Sequence, residues 1–173
     1  RTLPLCHVSD DLYIAAFVIF GDVELTVHSA AELLKLAPEY DYLIAPEAKS
    51  IPLLYEMARQ SGANKYYLAR KGAKAYMQGT FEVDVKSITT DKVQHLVLDE
   101  HDAEEIRGKR MLIIDDVIST GDSLRAMEEL VIDAGAEIAG KMAILAEGEA
   151  AERNDIIYLQ KLPLFNPDGS IKG

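Results

Sequence analysis

Three things are scarce in this sequence, and each scarcity closes off a class of function. It contains one cysteine, Cys6, so no disulfide can form within the chain and no metal site can be built from several thiolates. Its plainer reading is a small apolar residue near the start of the chain. Positive charge is also short: 18 Lys+Arg face 29 Asp+Glu, a formal net charge of −11. Such a chain repels a phosphodiester backbone at long range, which argues against non-specific nucleic-acid binding. A phosphate ligand would need a local site of amides, a few cations or a metal ion. Long hydrophobic stretches are missing too. The longest apolar run, Ile14 to Phe20, falls far short of the roughly 20 residues that span a bilayer. With no leader pattern visible, a cytoplasmic protein is the default expectation.

What is present suits one ordinary domain. The 173 residues are 49% hydrophobic and 27% charged, enough for one core. No repeat, low-complexity tract or linker divides residues 1–173. Residues 12–20 are apolar and β-branched, Gly21-Asp22 follows, and Val23-Glu24-Leu25-Thr26-Val27 comes next, which predicts a β-hairpin. Residues 29–36 have helical spacing, with Ala30, Leu33, Leu34 and Ala37 on one side. Tyr42-Leu43-Ile44-Ala45 reads as a short strand, and Pro52 opens a helix that runs to about Gln60 and closes at Ser61-Gly62. Residues 65–69 form the next expected strand.

Residues 70–94 break the rhythm. They hold glycines, lysines and a run of Ser, Thr and Asp, with weak alternation at Phe81-Glu82-Val83-Asp84-Val85. This predicts a long excursion with some extended pairing, either a lid or a plain surface ribbon. Regular alternation then resumes, with a strand at 95–98, a helical turn at 103–106, a strand at 111–114, a helix at 122–134, and strands at 141–145 and 156–159. Met111-Leu112-Ile113-Ile114 is apolar on both faces, as a central parallel strand must be. The alternation implies right-handed crossovers and an α/β fold, an open, mostly parallel sheet with helices on both faces.

The segment that carries chemistry is Met111-Leu112-Ile113-Ile114-Asp115-Asp116-Val117-Ile118-Ser119-Thr120-Gly121-Asp122-Ser123-Leu124. A buried strand leads into two acids, a loop of hydroxyls and glycine, and then a helix. Ligands of open α/β sheets sit beyond the carboxyl ends of the strands. The first amides of a helix lack internal partners, and with the helix dipole they make an anion site. Gly121 lets the backbone approach closely, and Ser119, Thr120 and Ser123 add hydroxyl donors. Acids beside an anion site need a task of their own. Ribose hydroxyls, which donate to carboxylates, are one; a divalent cation such as Mg²⁺, which shares oxygens with phosphates and waters, is the other. Consecutive strand residues point to opposite sides, so Asp115 and Asp116 are expected to differ in role. The ordinary alternative, in which Asp116 and Ser119 only cap the next helix, accounts for one polar residue rather than five.

On those residues the chain resembles the type I phosphoribosyltransferases, whose signature is an apolar strand, two acids, two further residues and a Thr-Gly-containing loop. Residues 113–123 match it, and the order of elements over residues 31–162 fits as well. The resemblance implies that Asp115 and Asp116 are the catalytic pair that holds the ribose hydroxyls of 5-phosphoribosyl 1-pyrophosphate. It implies that Val117, Ile118, Ser119, Thr120, Gly121, Asp122 and Ser123 surround its 5-phosphate, although Asp122 stands where many members have glycine. The loop Glu47, Ala48, Lys49, Ser50 would bind pyrophosphate, with Lys49 as the cation. Residues 70–94 would be a flexible loop that closes over the reacting groups, contributing Arg70, Lys71, Lys74, Ser87, Thr89 and Lys92. Mg²⁺ would be the cofactor, bound mainly through the substrate, with no protein metal site of its own. Residues 1–28 and 160–173 would form a hood that recognises the base, with Phe17, Phe20 or Phe165 stacking on it. A homodimer is implied as well.

Adenine phosphoribosyltransferases and their bacterial relatives are the nearest likeness, through the 47–50 loop, Ser87-Ile88-Thr89-Thr90-Asp91-Lys92 and Ala146-Glu147-Gly148. Thr89 departs from them, standing where adenine enzymes commonly carry an acid. The implied activity is transfer to a purine, adenine first, in purine salvage. The rivals are transfer to another base such as xanthine or guanine, a non-catalytic regulator on the same fold, and a different α/β phosphate-binding protein. His7, His28, His95 and His101 are scattered and take no chemical role.

Overall fold

The apolar segment around Ile113 becomes the middle strand of a five-stranded sheet in the computed structural model, which describes residues 1–86 and 93–172. The elements of that sheet are β3 (Tyr42–Pro46), β4 (Tyr67–Ala69), β7 (Arg110–Ile118), β8 (Glu137–Glu147) and β9 (Ile157–Leu162). They pair in the order β4-β3-β7-β8-β9, all parallel. Two faces need two covers. On one face, Ile19, Leu33, Leu53, Leu54 and Met57 pack with Leu43, Leu112, Ile114 and Met142. The helices there are α1 (Val23–Leu36) and α2 (Ile51–Ser61). On the other, α3 (Glu100–Ile106) and α4 (Asp122–Asp133) bring Ile106, Leu124, Met127, Leu130 and Val131 against Ile44, Met111 and Ile113. Each fully buried side chain of this size contributes about 1.5–3 kcal/mol, so the stability of the fold rests on these two layers.

Three expectations are corrected. Residues 23–27 are not a strand but the first turns of α1. Asp22 accepts a hydrogen bond from Leu25 N at 3.0 Å, and Thr26 Oγ1 donates to Asp22 O at 2.8 Å. That cap lets Val23 and Val27 join a helix despite their β-branched side chains. The hairpin lies earlier, between β1 (Leu5–Ser9) and β2 (Leu12–Ala15). Second, the strand expected at 95–98 does not enter the parallel sheet. It is β6 (Val93–Asp99), which pairs antiparallel with β5 (Thr80–Lys86) from Thr80↔Asp99 to Lys86↔Val93. Third, this ribbon is not all surface. Val83, Val85, Leu96 and Leu98 are buried in the same core as α4. The excursion therefore has a fixed base.

A third, small sheet joins the two ends of the chain. β10 (Leu164–Phe165) lies against β2, with Leu164↔Ile14 and Phe165↔Tyr13. The segments expected to meet as a hood do meet here, although residues 23–28 belong to α1. Among the described residues no helix is long and apolar enough to cross a membrane.

Candidate active site at the ends of two central strands

Four buried polar side chains, Ser50, Asp115, Asp116 and Glu147, gather at the carboxyl ends of β3, β7 and β8 or just past them. β7 runs on to Ile118, so the two acids lie inside the strand and not beyond it as expected. The ladder tolerates them because its hydrogen bonds are made by the backbone: Asp115 pairs with Ala143 and Ile118 with Ala146.

Past β7 the chain turns at Ser119-Thr120-Gly121. Gly121 has φ 84°, the left-handed region that glycine adopts without strain, and it stands at the N-cap of α4. It has no side chain with which to cap the helix, and the Asp122 amide reaches Thr120 Oγ1 instead. Thr120 Oγ1 makes only long contacts with Asp122, 3.4 Å to the carboxylate and 3.5 Å from its amide. A cavity of ≈ 110 Å³ opens here, lined by Asp115, Val117, Ile118, Ser119, Thr120, Gly121 and Ser123 among others. Of the segment expected around a phosphate, Val117, Ile118, Ser119, Thr120, Gly121 and Ser123 line this cavity and Asp122 does not.

The β3–α2 loop lies beside it. Its Glu47–Ala48 peptide is cis. Two of its side chains do something other than face a ligand. Ser50, only 1% exposed, donates through Oγ to Asp115 Oδ1 at 2.7 Å, which ties the two loops together. Glu47 accepts from Arg70 Nε and from the Lys71 amide, both at 2.6 Å. Burial raises the Glu47 carboxyl, but these two bonds and the nearby cations outweigh it and hold it below the usual range. Lys49 is exposed yet reaches Asp116. Its side chain is 54% exposed, with Nζ 3.5 Å from Asp116 Oδ2.

The two acids differ, as alternation required. Asp115 accepts from Ser50 and from the Asp116 amide, the latter at 2.9 Å. Its carboxyl is raised well above the usual carboxylate range, chiefly by burial and then by the neighbouring Asp116 charge, with the Ser50 bond opposing. Asp116 is 2% exposed, and its buried Oδ2 has no hydrogen-bond partner. Its nearest cation is Lys49 Nζ at 3.5 Å, so this buried oxygen has charge beside it but accepts no hydrogen bond, a cost that a donor on a ligand would remove. Among the described residues no group of three or more His, Cys, Asp or Glu comes together as a metal site.

The remaining expected residues divide. Arg70 reaches past Glu47 to Tyr76, donating from Nη1 to the hydroxyl at 2.7 Å, so it and the Lys71 amide fasten the ribbon side of the site to the β3–α2 loop. Lys71 is exposed and Lys74 half-buried. Ser87, Thr89 and Lys92 lie outside the described residues. Phe17 and Phe20 share a groove with Leu3, Pro4, Val18 and Leu25, whereas Phe165 lies in β10 opposite Tyr13, so the three rings do not form one pocket. Sequence reading did not find Tyr76, or Arg153, whose Nη1 stands 2.9 Å from where a Cβ on Gly121 would be. No local pattern marks Arg153, because only the fold brings it to that loop.

The fold is α/β, a parallel five-stranded sheet flanked by helices, with buried acids and two side-chain-uncapped helix starts at the carboxyl ends of its central strands. The family model described as phosphoribosyl transferase domain matches residues 27–163, and the chain belongs to that family. Its curated relatives carry several names. An adenine phosphoribosyltransferase of Gloeothece citriformis is 32% identical over 133 residues, 75% of this chain and 67% of that protein. A xanthine phosphoribosyltransferase of Staphylococcus carnosus is 30% identical over 103 residues, 57% of this chain and 50% of that protein. Among solved structures, an adenine phosphoribosyltransferase from Thermoanaerobacter pseudethanolicus superposes with TM-score 0.68 at 21% identity, covering 83% of this chain and 84% of that one, which shows the shared fold. Three curated relatives, the xanthine protein and two orotate phosphoribosyltransferases, are spanned over only 50%, 54% and 58% of their lengths.

Proposed function

We propose that this chain transfers the 5-phosphoribosyl group from 5-phosphoribosyl 1-pyrophosphate to a purine base, adenine first, giving a nucleoside monophosphate and pyrophosphate. What supports this most is that a buried Asp116 oxygen with no hydrogen bond, only the Lys49 ammonium 3.5 Å away, stands beside the side-chain-uncapped start of α4 in a member of the phosphoribosyl transferase domain family. Asp116 would accept from one ribose hydroxyl, and Asp115, once ionised, from another. The loop 119–123 would take the 5-phosphate on its amides and hydroxyls. Lys49, beside Asp116, would meet the pyrophosphate near the anomeric carbon, with Arg70, Lys71 and Lys74 on the ribbon side.

The reaction would be displacement at that carbon, with the base nitrogen bonding as the carbon–oxygen bond to pyrophosphate breaks and the electron pair leaves on pyrophosphate. Positive charge develops on the sugar in such a transition state, and two nearby carboxylates favour it. Positioning would supply much of the rest. Mg²⁺ fits this donor set only when a substrate supplies most of its oxygens, and when bound it would offset charge on the departing pyrophosphate. Adenine rests on the Gloeothece relative, which the chain covers more fully than the xanthine one.

The test is a panel of adenine, guanine, hypoxanthine, xanthine and orotate with the donor and Mg²⁺, following pyrophosphate release. Release with adenine supports the proposal in full, and release with another purine moves only the base. Tight donor binding with no release from any base replaces transfer by ligand sensing.

A further inference from the structure

Arg153 follows the short 3-10 turn Gly148–Glu152, far along the chain from the β7–α4 loop, yet its guanidinium lies against that loop. Its orientation is fixed from behind. Nε donates to Asp155 Oδ1 at 2.8 Å and Nη2 to Asp155 Oδ2 at 2.7 Å, a two-pronged grip that leaves little freedom of rotation. Asp155 is itself held by Lys141 of β8, and Lys141 by Glu128 of α4. Charge alternates along Glu128, Lys141, Asp155 and Arg153, and the run ends in a cation at Gly121. The remaining nitrogen, Nη1, makes no hydrogen bond among the described residues and is the atom a Cβ at Gly121 would strike, 2.9 Å away.

A phosphate monoester there would meet the start of α4 at Gly121, where that guanidinium already lies, with Asp115 and Asp116 on the preceding strand. A held guanidinium adds a charge-assisted donor with little further loss of side-chain freedom. We propose that Arg153 binds the terminal phosphate of the sugar substrate through Nη1, and that Asp155, with Lys141 and Glu128 behind it, is its positioning residue. This rests on the phosphoribosyl reading given above and adds to it one phosphate-binding residue and the residue that positions it.

The test titrates the full chain separately with ribose 5-phosphate and with pyrophosphate, and measures steady-state turnover. In Arg153→Gln, ribose 5-phosphate should bind about tenfold or more weakly and KM for the donor should rise in step, while pyrophosphate affinity and kcat stay within about twofold. Arg153→Lys keeps the charge without the fork and should fall between the two. Asp155→Asn, which loosens the grip, should cost about threefold, with the same selectivity for the phosphate end. Circular dichroism and the melting midpoint establish that each variant is folded, and the lysine variant carries the test if the glutamine variant is not. Unchanged ribose 5-phosphate affinity in a folded Arg153 variant overturns this inference and leaves the parent reading standing. A wild-type chain that binds neither ribose 5-phosphate nor the donor overturns both.

Discussion

The helices of this protein begin in two different ways. α1 and α3 are closed by their own carboxylates, Asp22 accepting from Leu25 N and Asp99 from His101 N. α2 and α4 have no side-chain cap hydrogen bond. A good cap is worth about 1 kcal/mol, so two helices forgo it. For α2 the residue type is not the reason. Ser50 stands at its N-cap and is among the best capping residues, but its hydroxyl is turned to Asp115. For α4 the cap position is a glycine in the left-handed region. Both side-chain-uncapped starts follow central strands and lie beside the buried acids. The capped starts lie elsewhere. The difference teaches that local stability has been given up at the carboxyl ends of the central strands, where the proposed function would place the substrate.

Breaking the acidic half of that edge should have the largest effect. Asp115→Asn with Asp116→Asn should lower turnover by about a thousandfold or more, since each tenfold is about 1.4 kcal/mol of transition-state stabilisation. The melting midpoint should not fall, because both changes remove buried charge and keep shape. Normal turnover would sink the assignment. Gly121→Ala comes next. It forces a side chain into φ 84° and towards Arg153, and should raise donor KM about tenfold and cost about 1 kcal/mol in chemical denaturation. An unchanged KM would remove this loop from the phosphate site.

Ser50→Ala should cost about 1–2 kcal/mol through the buried bond to Asp115, and lower activity only through that acid. It should leave α2 as helical as before by hydrogen exchange, because the hydroxyl caps nothing. The single Asp115→Asn change reads the pH dependence. The folded carboxyl is raised, so its contribution to stability is complete below the unfolded value of about 3.9 and is lost as pH rises through the raised folded value. The asparagine variant should therefore gain stability over wild type between pH 5 and pH 8, by on the order of 1 kcal/mol or more. A gap that is the same at both pH values contradicts the assignment of that burial. Smallest in its reach is Asp22→Ala at a capped start. It should cost about 1 kcal/mol in stability and nothing in turnover. A matching loss of activity would erase the contrast between the two kinds of helix start.

Much of this edge was legible in the sequence because its signals are local. A central strand apolar on both faces, two adjacent acids and a Ser-Thr-Gly loop lie within one stretch, and the structure lines one cavity with Asp115 and that loop. The parallel sheet with helices on both faces was legible for the same reason. What escaped depends on tertiary partners. Val23 and Val27 look like strand residues until Asp22 caps the turn they belong to. The strand at β6 announces itself, but its partner does not, since an apolar strand of that length fits either a parallel sheet or a ribbon. Glu47 and Ser50 were placed correctly in their loop, but nothing local says that Arg70 and Asp115 occupy their side chains. Arg153 was invisible because its link to Gly121 exists only through the fold.

The most direct measurement is a titration of the amide resonances of the chain with 5-phosphoribosyl 1-pyrophosphate and Mg²⁺. Saturable shifts should concentrate at residues 119–123 and 48–51, with the capped starts at 22–26 and 99–102 little moved. Shifts confined to the capped starts, or none at residues 119–123 at saturating donor, would contradict the central claim that the side-chain-uncapped edge is the substrate site.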